Sequence, residues 1–411
     1  MRLTTWWRAL AALVAVRLAI PLVALAASGR DLPALPRYTY APLNGDAFGY
    51  HAAARETISA TGRLSPVLLL VVVLAVVAAA IYLRRTWATP RRWLGLLAVG
   101  AAGALPAALV VNELEPPGAP VVGWPLLWAV PLAPYRLLAE PSVDAAFAAA
   151  FVLSLLSIAA TVVATAYLGL YASARRWVGV AAAALYTAWP FVARAAAGES
   201  AWENGQWHVD VGLHLYTEPI STALVAVGLA LILKPAASPA LSVVAGYLLG
   251  LATAVKLSNA VIAVILVAAV AARAGPRHAG LFAAAGACWI PVVALYWPKG
   301  YEDLYEGKTA PGEHAWAPGN TVDAWTESLV FTPLLTLVLV VLATVGAFAL
   351  RRDLALTLAA PILATAALYS VYSFTPQHPR FFYVVLPPLF VLVASAPLAT
   401  GLRGRDHAVR A

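Results

Sequence analysis

Cysteine is almost missing from this chain: Cys288 is the only one in 411 residues. A single thiol excludes an internal disulfide and any cysteine-based metal cluster. Charge is scarce as well. Only 11% of residues are Asp, Glu, Lys or Arg, where a soluble domain carries about 25%. There is no low-complexity tail, no coiled-coil heptad and no obvious inverted repeat; the last weighs against a secondary transporter. What fills the chain is apolar, with 62% hydrophobic residues and a mean hydropathy of +0.81. Such a chain is an integral membrane protein rather than two or three soluble domains. Its net charge of +8 then sets membrane topology and does not point to nucleic acid.

A membrane span needs about 20 mostly apolar residues. Runs of that kind fall at 9–28, 65–83, 94–112, 145–171, 177–197, 216–233, 241–256, 258–274, 279–297, 331–350, 354–373 and 381–400. They predict an all-α protein of about twelve transmembrane helices forming one polytopic domain over 1–411. The first run follows Arg2 and Arg8 and reads as an anchor, being too long for a removed signal peptide. The stretch 241–274 is long enough for one tilted helix or two short ones. It is split at Lys256-Leu257-Ser258-Asn259, because a lysine at mid-membrane costs about 2.5–3.5 kcal/mol or more.

Charge tests the count. With twelve spans, Arg84, Arg85, Arg91, Arg92, Arg175, Arg176, Lys234, Arg273, Arg277, Arg351, Arg352, Arg403, Arg405 and Arg410 all fall on the N-terminal side. The positive-inside rule makes that side cytoplasmic, with both termini there, as expected for a multi-pass protein of the cell membrane. Every acid except Asp353 and Asp406 falls on the other side. The outer loops are the long ones, at 29–64, 113–144, 198–215, 298–330 and 374–380. A protein whose polar inventory is concentrated there works there.

Within the first outer loop, Gly45-Asp46-Ala47-Phe48-Gly49-Tyr50-His51 puts a carboxylate, a phenol and an imidazole just outside a hydrocarbon span. Residues from Ala47 to Ala60 favour a short surface helix with Asp46 at its start. Asp46 either caps that helix or serves as a general base beside a membrane cavity, taking the proton of an attacking hydroxyl. The third outer loop holds Glu199, Glu203, His208, Asp210 and His214 among indoles, a set suited to lining a sugar pocket. His208, Asp210 and His214 are also possible ligands for a divalent metal, but show no specific ligand spacing. Glu218, in Tyr216-Thr217-Glu218-Pro219, either caps the following helix or joins that pocket. Lys256 either snorkels to the headgroups or binds the phosphate of a lipid carrier. Arg380, the one arginine expected outside in the last third of the chain, has the same two readings, since guanidinium matches phosphate oxygens bidentately.

Several blocks in order resemble the GT-C superfamily of polytopic glycosyltransferases. Asp46 and Tyr50 match its acidic first-loop motif. Trp124 to Leu138 resembles its Pro/aromatic block, and Tyr186-Thr187-Ala188-Trp189-Pro190 a span ending in proline. Leu215-Tyr216-Thr217-Glu218-Pro219 is similar to its Thr/Ser-Glu-Pro entry. Gly246 to Lys256 looks like its Gly-x-x-x-Gly-Leu-Ala segment with a terminal base, and Arg380 to Pro387 like its late Arg/aromatic/Pro segment. The resemblance implies a GT-C-like helical core with short outer-loop helices. It implies transfer of a sugar, mannose first, from a polyprenyl- or dolichyl-phosphate carrier to a hydroxyl on a glycan, lipid or protein, with inversion and no cofactor. Asp46 would be the catalytic residue, as the base or as the acid that orients the acceptor. Tyr50, His51, Glu199, Glu203, His208, Asp210 and Glu218 would bind substrate, and Lys256 and Arg380 the lipid phosphate. Two departures stand out: Asp46 has no second acid beside it, and residues 65–112 form an additional helical hairpin. The rivals are a transporter or flippase for a lipid-linked or polyol substrate, which would line a path with charges inside its spans, and a non-catalytic partner in envelope assembly.

Overall fold

The computed structural model describes residues 2–27, 64–112, 143–197, 217–300, 333–370 and 381–399. Among these residues there is no strand, and a helix or an in-line pair occupies each of the apolar runs. In chain order the helices are α1 (Leu3–Ala27), α2 (Pro66–Thr86), α3 (Arg92–Asn112), α4 (Val143–Ser173), α5 (Arg176–Ala197), α6 (Glu218–Leu233) and α7 (Pro239–Val255). Then come α8 (Asn259–Ala274), α9 (Pro276–Ala287), α10 (Ile290–Gly300), α11 (Pro333–Ala349), α12 (Arg352–Ser370), a 3-10 segment (Phe382–Val385) and α13 (Leu386–Ser395).

Seven stretches are long and apolar enough to cross a membrane. They lie in α1, α2, α3, α4, the α9–α10 pair, α12, and the 3-10 segment with α13. α6, α7, α8 and α11 are apolar but have only 16 or 17 residues. Each reaches about 24–26 Å, short of a hydrocarbon core of about 30 Å. Rows of large apolar side chains face outward, among them Val67, Leu70, Val71 and Leu74 on α2 and Leu334, Leu337, Val341 and Phe348 on α11. Water does not tolerate such continuous apolar surface, whereas acyl chains do. The protein is a multi-pass, membrane-embedded helical bundle in contact with lipid.

Two runs depart from single helices, and proline explains both. Over 279–297 the chain makes α9 and α10 with a turn at Cys288 and Trp289, closed by Cys288 N–H to Ala285 O at 3.3 Å and Trp289 N–H to Gly286 O at 3.1 Å. Pro291 has no N–H for the carbonyl four residues earlier, so the α-helical ladder breaks there. Likewise Pro387 and Pro388 cannot donate to Tyr383 and Val384, and Phe382–Val385 winds as 3-10. The break between α7 and α8 falls at Lys256–Ser258, as the sequence predicts, with Lys256 extended at φ −147° and ψ 109°.

Without water to drive them together, membrane helices associate through close packing at small residues. Here α4 meets α5 at Gly169 and Gly179, and Gly246 and Gly250 of α7 sit against the backbone of α9 at Phe282 and Gly286. Hydroxyls inside α4 return to their own helix: Ser157 to Leu153 O, Thr161 to Ser157 O and Thr165 to Thr161 O, at 2.7–2.8 Å. The main core joins α1, α4 to α9, α11, α12, the 3-10 segment and α13. A smaller cluster docks the α2–α3 hairpin, with Ala104, Ala107, Ala108 and Val111 against Trp289 and Val292.

The two ends of the bundle differ in character. One cavity gathers Ser173 and Ala174, Pro235, Arg273, Arg351 with Asp353, and Leu398. A second gathers Trp87 to Pro90, Arg92, Pro239 and Arg277. The loops that parity puts on one side therefore share one end. Arg273 ties that end together, donating to Asp353 Oδ2 at 2.9 Å, Ile232 O at 3.2 Å and Leu233 O at 3.1 Å.

Candidate functional site

At the opposite end, four helix termini meet. Glu218 is the first residue of α6, where the helix dipole favours a carboxylate. Thr217 precedes it but makes no side-chain cap bond to the backbone; its hydroxyl donates to Glu218 Oε2 at 3.3 Å. Glu218 Oε1 accepts from Lys256 Nζ at 2.9 Å, with the Glu218 side chain 1% and the Lys256 side chain 16% exposed. The ammonium also lies 4.8 Å from the centroid of the Phe381 ring, within cation–π range. Phe381 in turn stacks on Tyr369, centroids 4.5 Å apart and planes 11° from parallel. Lys256 does not snorkel to bulk solvent; a carboxylate and an aromatic face hold it.

One turn further in, the same pairing repeats without charge. Asn259 Nδ2 donates to Ser221 Oγ at 2.6 Å and to Ala252 O at 2.8 Å, and both Asn259 and Ser221 are buried. Ser221 is three residues after Glu218 on α6, so those two share a helix face, while Asn259 opens α8 three residues past Lys256, across the break. The Lys256–Ser258 break is thereby tied to α6 at two heights.

A second polar cluster lies inside the bundle. Arg17, on α1, is fully buried and its Nη2 donates to Tyr383 Oη at 3.1 Å. The Tyr383 and Tyr186 hydroxyls are 2.8 Å apart, and the guanidinium carbon is 5.4 Å from the Tyr186 ring centroid. Tyr383 belongs to the 3-10 segment that begins directly after Phe381. The buried arginine therefore fixes the segment that carries the aromatic partner of Lys256. Sequence reasoning passed over Arg17; the signal was there, as a lone cation within the first apolar run, where a charge is costly unless paired.

Of the candidate residues, Glu218 and Lys256 are brought into contact. Asp46, Tyr50, His51, Glu199, Glu203, His208, Asp210 and Arg380 lie outside the described residues, as does the surface helix expected over 47–60. Among the described residues no group of three His, Cys, Asp or Glu side chains is placed to hold a metal ion. The class that fold and cluster define is a multi-pass helical membrane protein with a paired lysine and glutamate at one end. No protein-family model, curated protein or solved structure matches the chain.

Proposed function

We propose that this chain is a GT-C-like membrane glycosyltransferase. It crosses the membrane twelve times with both termini in the cytoplasm, and transfers a sugar, mannose first, from a polyprenyl- or dolichyl-phosphate carrier to a hydroxyl acceptor on the outer face. The observation that carries the reading is the Lys256–Glu218–Phe381 contact at the end of the bundle away from the basic loops. An ammonium has three N–H donors. Glu218 takes one and orients the others, which suits Lys256 to a phosphate oxygen. Arg380, immediately before Phe381 in the chain, would be the second phosphate contact.

In this reading the acceptor oxygen attacks the anomeric carbon as its proton passes to the Asp46 carboxylate. The bond from the anomeric carbon to the carrier phosphate oxygen breaks, and the lipid phosphate leaves with the electron pair, its charge balanced by Lys256 and Arg380. The configuration inverts in one displacement. Tyr50, His51, Glu199, Glu203, His208 and Asp210 supply hydrogen bonds to sugar and acceptor.

One observation favours a rival. Arg17 is a cation buried inside a span, as a transporter or flippase path requires. The test uses full-length protein in nanodiscs with radiolabelled polyprenyl-phosphate mannose and a crude lipid and glycan extract. Transfer by the native chain that is lost in Asp46→Asn supports the enzyme. Transfer that survives Asp46→Asn removes Asp46 from the chemistry. Absence of transfer, with movement of the labelled lipid across proteoliposomes, makes it a transporter; absence of transfer, carrier binding and movement leaves the assembly partner.

A further inference from the structure

The end of the bundle remote from Lys256 holds a cavity of about 690 Å³ between the α2–α3 loop and the starts of α7 and α9. That size falls in the range of ligand sites, about 300–1,000 Å³. Its lining is Trp87, Ala88, Thr89, Pro90 and Arg92 on one side and Pro239, Ala240 and Arg277 on the other. Two guanidinium groups from separate elements thus share one cavity whose lining contains no acid. Among the described residues neither guanidinium has a hydrogen-bond or ion-pair partner.

The wall that carries Arg92 is built rather than loose. Thr89 Oγ1 donates to Thr86 O at 2.8 Å and accepts from Arg91 N–H at 3.2 Å, while Thr89 N–H reaches Thr86 O at 3.0 Å and Arg92 N–H reaches Thr89 O at 3.2 Å. The opposite wall is set by Ser238, whose hydroxyl accepts from Leu241 N–H at 3.3 Å and fixes the start of α7 at Pro239. Between the arginines the surface is alanine, proline and an exposed indole. Phosphate flanked by apolar glycerol and acyl carbons matches that mixture; a free anion would leave the apolar part uncovered. Two arginines at a membrane surface are also the chemistry that recognises anionic headgroups.

We propose that this cavity binds the phosphate of an anionic phospholipid headgroup, Arg92 and Arg277 sharing its oxygens and Trp87 covering its glycerol. The bound lipid clamps the α2–α3 hairpin to the core at α7 and α9. This site is independent of the glycosyltransferase reading and lies at the other end of the bundle.

The test is native mass spectrometry of the full-length protein in detergent, titrated with phosphatidylglycerol or phosphatidylcholine. The wild type retains phosphatidylglycerol preferentially. Each of Arg92→Gln and Arg277→Gln lowers that preference about fivefold, and the double variant about 25-fold, from the usual contribution of a basic residue at an anionic surface. Arg175→Gln, an exposed arginine at the same end but outside the cavity, leaves the preference unchanged. An equal loss in Arg175→Gln means diffuse surface charge and overturns the site, as does a preference that survives the double variant. Inorganic phosphate is the second arm: if it displaces phosphatidylglycerol at millimolar concentration, the ligand is the free anion and the lipid assignment fails. Should the double variant not fold, the single variants carry the same comparison.

Discussion

Lys256 caps the C-terminus of α7 and Glu218 begins α6, and their side chains meet at 2.9 Å in a site where the carboxylate is 1% exposed. Neither charge is well solvated, so each depends on the other. Removing one partner of a buried pair costs about 3–5 kcal/mol. Because Lys256 keeps some solvent contact, about 2–3 kcal/mol is expected here for Glu218→Gln or Lys256→Met. The double variant Glu218→Gln/Lys256→Met recovers at least half of the summed loss. A double-mutant cycle of unfolding in detergent measures this, and additive losses would show that the contact contributes no coupling.

Asn259 stitches the break below that pair. Asn259→Leu strips the hydrogen-bond donor from Ala252 O and from Ser221 Oγ, both within the bundle. An unsatisfied buried acceptor costs about 1–3 kcal/mol. The variant therefore unfolds at lower temperature, and Ser221→Ala combined with it adds little further loss. An unchanged thermal midpoint for Asn259→Leu would mean that the helix break holds without the stitch.

Arg17 and Tyr383 give a prediction that separates charge from geometry. Tyr383→Phe removes the hydroxyl that contacts both Arg17 and Tyr186, at a cost of about 1–3 kcal/mol. Arg17→Lys keeps the charge but loses the planar group that faces the Tyr186 ring. It is expected to be nearly as unstable as Arg17→Gln. Equal stability of Arg17→Lys and wild type, read by unfolding in detergent, would show that charge alone is needed.

Glycine substitutions in the α7–α9 pair should split by sign. A Cβ on Gly246 would meet the backbone of Phe282, and one on Gly250 the backbone of Gly286 and the Trp289 ring. Gly246→Ala therefore forces the helices apart, with a loss of about 1–3 kcal/mol. Gly280, on α9, faces open space. Gly280→Ala is neutral or stabilising by about 0.4–1 kcal/mol. Unfolding midpoints decide this, and a stable Gly246→Ala protein would refute the close α7–α9 contact.

Apolar run length is a local property, and it located helices on every predicted stretch, including the break at Lys256, where the cost of a buried lysine forced a division. Proline placement also carried the turn at Cys288 and the 3-10 winding before Pro387, although the run pattern alone read each as a single helix. The placement of the basic loops anticipated which of the described loop ends share one end of the bundle.

Partners across the bundle were not legible in the same way. The pattern singled out Glu218 and Lys256 separately, one as a cap or pocket acid and the other as a snorkelling or phosphate-binding cation. Nothing in their spacing says that each neutralises the other. Arg17 stands out in the sequence as a lone cation in an apolar run, but its partners Tyr186 and Tyr383 are 169 and 366 residues away and meet it only through the packing of α1, α5 and the 3-10 segment. Hydrophobicity and charge along the chain are sums over neighbours in sequence, and they fix a membrane-embedded helical protein. Which buried charge finds which partner depends on how small residues let particular helices approach, and that is settled only when the helices pack.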